Sequence, residues 1–289
     1  MPSTQILKSR IRSVKSTKQI TKAMQLVAAS KMRRAQETTK ASDPYAEAAR
    51  QLLADLSGHN SVARHPLFIK RAVKSRLIIV IGSDKGLAGA YNTNVFKLYA
   101  EQLQRDEKSA VKNTTITIGR KAAQFAARIK GNVILGAYQD LTDRPAGLEL
   151  QSILDSAKEK FTSGDVDAVD IIYTDFISTV KQDPTMVRIL PAGYNETLEQ
   201  KDTAEATYEP STEEVLDGVT FRLVTAQLFQ ALLDSRASEY IMRMVAMKNA
   251  TDNASDLVDD LTLEMNKARQ GAITQELAEI SGGVEALNE

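Results

Sequence analysis

Few residues in this chain have the types and spacing that chemistry requires. The stretch "GSDKGLAGAYN" (Gly82 to Asn92) follows an apolar run and opens a helical pattern, the place where α/β folds hold phosphate on a helix N-terminus. Its spacing fits neither GxGxxG nor GxxxxGK followed by Ser or Thr, so the dinucleotide and Walker readings fail; a tight strand-to-helix turn using glycine for backbone freedom fits better. Asp256, Asp259, Asp260 and Glu264 recur at helical spacing and carry the oxygens a divalent cation needs. With no glycine-bearing loop or His beside them, a solvated helix face is the better reading. His59 and His65 lie in or next to the loop after the first helix and are expected to do nothing chemical. There is no Cys, which excludes disulfides, thiol switching and cysteine-held zinc. No nucleophile, base and acid fall into a catalytic pattern, so no catalytic residue, bound metal or cofactor is expected.

Charge is balanced over the chain, with 37 basic and 37 acidic residues, but not along it. Met1 to Lys40 holds ten Lys or Arg against Glu37 alone, a net of +9, whereas Glu209 to Glu289 holds six against fifteen Asp or Glu, a net of −9. A basic run of this kind suits nucleic-acid phosphates, yet an acidic complement lies in the same chain. On the residues alone a nucleic-acid-binding coiled coil and an α/β enzyme stay open beside an interaction protein. Salt-dependent binding to nucleic acid would mark the first, and tight nucleotide binding the second.

The elements that would position these residues are readable from periodicity. Between Ser3 and about Leu56 there is no Gly, and the only Pro is Pro44, which predicts one long helix with a possible kink there. Its expected packing stripe is Leu7, Ile11, Val14, Ile20, Met24, Val27 and Met32. "RLIIVIG", "TTITIG", "NVILGAY", "AVDIIYTDF" and "TMVRILP" read as strands alternating with helices, a parallel α/β sheet over residues 75–195. Ser211 and Glu214 suggest a capping box, and a helical stripe from Val224 to Ile280 through Val245, Leu257, Ile273 and Leu277 follows it. The fold class is therefore α/β. A long antiparallel coiled coil of N-terminal helix (1–57) and C-terminal helix (209–289) carries an inserted Rossmann-like domain (75–195). Helices of about 50 and 60 residues would span roughly 75 and 90 Å. Small residues such as Ala28, Ala231, Ser235 and Ala254 would let the two helices approach closely. No apolar run reaches the length of a membrane-spanning helix. The first forty residues share the basic, acid-poor bias of a mitochondrial transit peptide, but their apolar register continues too far for one.

"RIRSVKSTKQITKAMQLVAASKMRRAQ", "ASDPYAE", "SDKGLAGAYN", "YEPS" and "MVAMKNATDNASDLVDDLTLEMNKARQGAITQELAEISGG" together resemble the gamma subunit family of the rotary ATP synthase, its central stalk. The resemblance runs end to end in matching order, and "ARQGAITQELAEI" is its most diagnostic piece. It implies a single-copy, non-catalytic rotor shaft inside a ring of alpha and beta subunits, with an epsilon-type subunit and the membrane c ring at its foot. Nucleic acid is then not a partner. Carried over residue by residue, it places Met24 with Lys22, Lys31, Arg33 and Arg34 against acidic levers of beta. Arg269, Gln270, Thr274 and Glu276 fall near catch loops of alpha and beta, and Tyr208 in the foot. Ala88 stands where many members have Cys, and the chloroplast-type insertion with its cysteine pair is absent. The start at Met and the lack of a transit extension favour the cytoplasmic side of a bacterial plasma membrane, with the mitochondrial matrix as the alternative.

Overall fold

A computed structural model describes residues 4–57, 62, 65–142, 147–194 and 212–287. In chain order it contains α1 (Thr4–Ser57), a short 3-10 turn (Pro66–Phe68), β1 (Ser75–Ile81), α2 (Tyr91–Lys108), β2 (Lys112–Ile118) and α3 (Arg120–Ala126). Then come β3 (Val133–Tyr138), α4 (Gly147–Thr162), β4 (Ala168–Phe176), β5 (Gln182–Leu190) and α5 (Thr212–Leu287). The capping box expected at Ser211 lies outside the described residues. Helix α1 runs unbroken through Pro44.

The strands form one sheet in the order β3-β2-β1-β4-β5. β1 pairs in parallel with β2 and β4, and β2 with β3, because helices connect these strands. β5 departs from the expected parallel arrangement and runs antiparallel to β4. Its connection, residues 177–181, is too short for a crossover, and Ser178 closes it as a hairpin turn by accepting N–H bonds from Val180 and Lys181 at its Oγ.

The chain divides into two compact units, residues 1–28 with 243–289 and residues 29–242. In the second, both sheet faces are covered, as the near-continuous apolar reading of β1 requires. Ile78, Val80 and Ile172 pack with Val95 and Tyr99 of α2 and Ala122 of α3. On the other face Leu77, Ile79 and Ile118 meet Ile153 and Phe161 of α4, Leu53 and Leu56 of α1, and Val224, Leu228 and Leu232 of α5. Gly193 has φ of 70°, and a Cβ there would fall 2.2 Å from the Leu53 carbonyl oxygen, so only glycine lets β5 exit against α1.

A buried ion network crosses this sheet. Asp170 of β4, 1% exposed, takes Arg76 of β1 on Oδ2 and Arg188 of β5 on both oxygens, with Arg188 Nε at 2.9 Å from Oδ1. Arg76 Nε also lies 3.0 Å from Asp106 Oδ2 of α2, a charge contact whose angle is too poor for a hydrogen bond.

The first unit pairs residues 4–28 of α1 with residues from 243 of α5 in antiparallel sense. Lys18 Nζ donates to Ser255 Oγ at 2.8 Å, and three residues further along α1 Thr21 Oγ1 meets Thr251 Oγ1 at 2.8 Å. The seam follows alternating steps of four and three: Leu7, Ile11, Val14, Lys18, Thr21, Gln25 and Ala28 against Met247, Thr251, Ala254 and Val258. This corrects the expected stripe, since Ile20 is 58% and Val27 59% exposed, and Val245 and Leu257 also face outward. Thr21 takes the inward position that the sequence reading assigned to its larger apolar neighbour.

The Asp170 network generates a stability prediction. Asp170→Asn removes the carboxylate shared by the half-buried Arg188 and by Arg76, which keeps only Asp106, so urea unfolding should register a loss of about 3 to 5 kcal/mol. A loss under about 1 kcal/mol would show that solvent already compensates those charges.

Candidate partner-contact surfaces

The turn after β1 is the sequence feature with a phosphate-binding outline; it opens α2, whose N-cap Ala90 makes no side-chain cap hydrogen bond, and its Asp84 reaches the start of α3 instead. Asp84 Oδ1 accepts the backbone N–H of Arg120, the first residue of α3, at 3.0 Å and that of Asp140 at 3.1 Å. Its Oδ2 lies 3.5 Å from Arg236 of α5, which also donates to the Leu141 carbonyl at 3.0 Å. Burial works against the Arg236 charge, but Glu239, Tyr240, Tyr91 and Asp84 together outweigh it and raise its pKa. Ser83 and Asn92 close the rest of the turn on each other, with Asn92 Nδ2 donating to Ser83 Oγ at 2.7 Å and Ser83 N to Asn92 Oδ1 at 3.1 Å. A carboxylate of the chain thus sits at the N-terminus of α3, not at that of α2, the helix this turn opens. Gly119 permits the approach: its φ is 93°, and a Cβ would sit 2.3 Å from the Gly82 carbonyl oxygen.

The remaining chemical candidates are structural or solvated. His65 is buried, and its Nδ1 accepts the Leu67 N–H at 3.4 Å to start the 3-10 turn; His59 lies outside the described residues. Asp256, Asp259, Asp260 and Glu264 are all exposed, and no metal-binding group of acidic or His side chains forms among the described residues.

Of the expected contact residues, Lys22 and Met24 belong to the first unit. Lys22 is exposed, with Nζ donating to Gln25 Oε1 at 3.3 Å, and Met24 is half-buried. The apolar surface around Met24 is wider than the sequence reading allowed, because Ile20 and Val27, four and three residues away on the helix, are exposed beside it. Arg269, Gln270, Thr274 and Glu276 are exposed on α5 in the same unit. The Lys18 to Ser255 pairing brings Thr4 opposite about Arg269, so from there onward α5 has outrun the described part of α1. Ile273, Leu277 and Ile280 are exposed on this stretch at helical spacing. The same pairing sets Met24 opposite about Asn249, some twenty residues and roughly 30 Å of helix from Arg269, so these are two separate surfaces.

In the second unit Arg33 and Arg34 are exposed, and Lys31 Nζ reaches Tyr240 OH at 3.3 Å while lying 5.2 Å from the ring centroid. Lys31, Arg34 and Thr38 of α1 face Leu233, Arg236 and Tyr240 of α5 across a groove of about 580 Å³. Lys31 and Arg34 are thereby brought together on one wall, whereas Arg33 does not line the groove. Tyr208 lies outside the described residues. No helix among the described residues is long and apolar enough to cross a membrane.

These observations agree with comparisons to known proteins. The family model for ATP synthase matches residues 3–287. The ATP synthase gamma chain of Ralstonia nicotianae (strain ATCC BAA-1114 / GMI1000) is 40% identical over 292 residues, covering 99% of this chain and 100% of that one. Among solved structures, the rotor of Euglena gracilis mitochondrial ATP synthase in rotational state 1 is similar at a TM-score of 0.67 and 17% identity. That match covers 93% of this chain and 98% of that chain. The central stalk and c ring structure of Tetrahymena thermophila mitochondrial ATP synthase is similar at 0.62 and 23% identity, over 80% of this chain and 99% of that one. At those identities the likeness is one of fold, while the full-length relative carries the family: this chain is a member of the ATP synthase gamma chain family.

Proposed function

We propose that this chain is the central rotor shaft of a proton-translocating ATP synthase. It couples rotation of a membrane c ring to conformational cycling of catalytic alpha and beta subunits. The observation that carries this reading is the 40% identity to a gamma chain across the full length of both proteins. Segments 1–57 and 209–289 act as the shaft helices and 75–195 as the domain at the foot, which meets an epsilon-type subunit and the c ring. The chain is present once per complex and holds no substrate. It is peripheral to the membrane, on the cytoplasmic side in a bacterium, with the mitochondrial matrix side as the alternative.

The chemistry of the surfaces supports a shaft that turns against its partners. A rotating element changes its partners' states only through contacts that differ from face to face. In the first unit the exposed Lys22 and the half-buried Met24, and in the second unit the exposed Arg33 and Arg34 with Lys31, present basic charge to acidic levers of beta. The part of α5 beyond the described residues of α1 presents Ile273, Leu277 and Ile280 among the polar Arg269, Gln270, Thr274 and Glu276. A single helix with mixed contacts suits a bearing better than a wide, tightly interlocked surface, which would resist turning.

The direct test is co-purification from the native host: a tagged chain should carry alpha and beta ATPase subunits with it, and recovery of the chain alone would overturn the reading. Met24→Lys should lower ATP-driven proton pumping several-fold more than ATP turnover, measured on the same membranes. An equal fall in both would mean that the substitution only destabilises the complex.

A further inference from the structure

In the second unit a carboxyl group is buried where three elements meet, and rotor function does not account for it. Asp234 of α5 is 6% exposed and accepts one hydrogen bond among the described residues, from Gln230 Nε2 at 3.1 Å. No basic group among the described residues comes within ion-pair distance of it. The groups facing it are Asp43 and Arg50 from α1, and Tyr173 and Asp175 from β4, with Asp183 of β5 paired opposite Asp175. Arg50, the single cation, is held by Glu47 at 2.6 Å. The adjoining void, lined by Arg50, Tyr173 and Gln230, measures about 20 Å³, enough for one water-sized molecule and too small for the hydration shell of an ion.

We propose that the seam joining α5 to β4 and α1 is a proton-operated clamp, closed while Asp234 is neutral and opened as Asp234 loses its proton. An ionised Asp234 would sit unpaired in an apolar setting, beside a second carboxylate on β4 and a third on α1. The neutral group has a ready partner, because Gln230 Oε1 is buried without one, and the same amide turned over accepts the carboxyl proton there. The seam is narrow at this point: the Thr174 N–H of β4 donates to Ser235 Oγ at 3.4 Å, and Ser235 and Ser238 are fully buried. Opening α5 here frees Asp234 to ionise in water, so pH acts directly on how firmly this helix is seated on the sheet.

Burial first, then Asp175 and Asp43, push the Asp234 pKa from 3.8 up to about 8, and Asp175 is itself raised, chiefly by burial. A group raised in this way contributes its full stability at acid pH and loses it progressively as pH climbs from about 4 through about 8, with no further loss above.

The test is amide hydrogen exchange on the full chain, corrected for the intrinsic pH dependence of exchange. Between about pH 6 and about pH 8 the protection of residues 230–238 should fall at least about tenfold in the native chain, and stay level in Asp234→Asn. The same fall in both proteins overturns the clamp. Asp175→Asn provides a second arm, since removing the neighbouring carboxylate lowers the Asp234 pKa, so the fall should end at lower pH and be shallower in total. A profile identical to the native one in Asp175→Asn overturns the proposal even if Asp234→Asn does not fold.

Discussion

Everything in the second unit depends on burying the inner ends of both long helices against one face of the sheet. Leu53 and Leu56 of α1 and Val224, Leu228 and Leu232 of α5 share a single apolar cluster with Leu77, Ile79 and Ile118. Each fully buried side chain of this kind contributes about 1.5 to 3 kcal/mol. That burial fixes where each helix leaves the sheet, and the Asp84 to Arg236 contact and the tight passage at Gly193 follow from it. The charges buried across the strands act differently. The Asp170 network does less to raise stability than to make alternative strand pairings costly, because any register that separates Asp170 from Arg76 and Arg188 leaves charges bare.

The helix pair of the first unit is built on another principle. A seam of Leu and Ile at its far end gives way to Lys18, Thr21 and Ala28, with hydroxyls bonded to each other and to an ammonium. Polar groups at such positions lower stability relative to Leu but define register, since a slip along the seam would break the Thr21 to Thr251 bond and leave each hydroxyl only the carbonyl of its own helix, Lys18 O and Met247 O. Large apolar residues displaced from that seam, Ile20, Leu26 and Val27, are then available for other contacts. For a shaft, fixed register and outward apolar anchors are both useful, because torque can be transmitted only if the two helices do not slide past each other.

Much of the fold was legible in the sequence. "RLIIVIG" and "AVDIIYTDF" read as buried strands because strands covered on both faces are almost wholly apolar, and the lack of Gly and Pro signalled the long helices. The antiparallel turn of β5 escaped notice because apolar content says nothing of direction; only the five-residue link to β4 carries that information. The helix stripe was misread at Ile20 because the rule that large apolar residues face inward fails where a seam is closed by Thr and Ala. Met24 and the residues around Arg269 are proposed as contacts by resemblance alone, since a contact with partners is not legible in a sequence that does not contain them. Asp84 reaching the start of α3, and Asp234 meeting Asp43 and Asp175, join residues far apart in sequence, so no local pattern could reveal them.

Rotation itself is the central claim, and the chain is well suited to measuring it. It contains no Cys, so Lys108→Cys at the exposed end of α2 provides a unique attachment point for an optical probe. With the variant assembled into immobilised complexes with its own alpha and beta subunits, ATP should drive the probe through continuous rotation in one direction. A probe that stays fixed while the same complexes hydrolyse ATP would contradict the account.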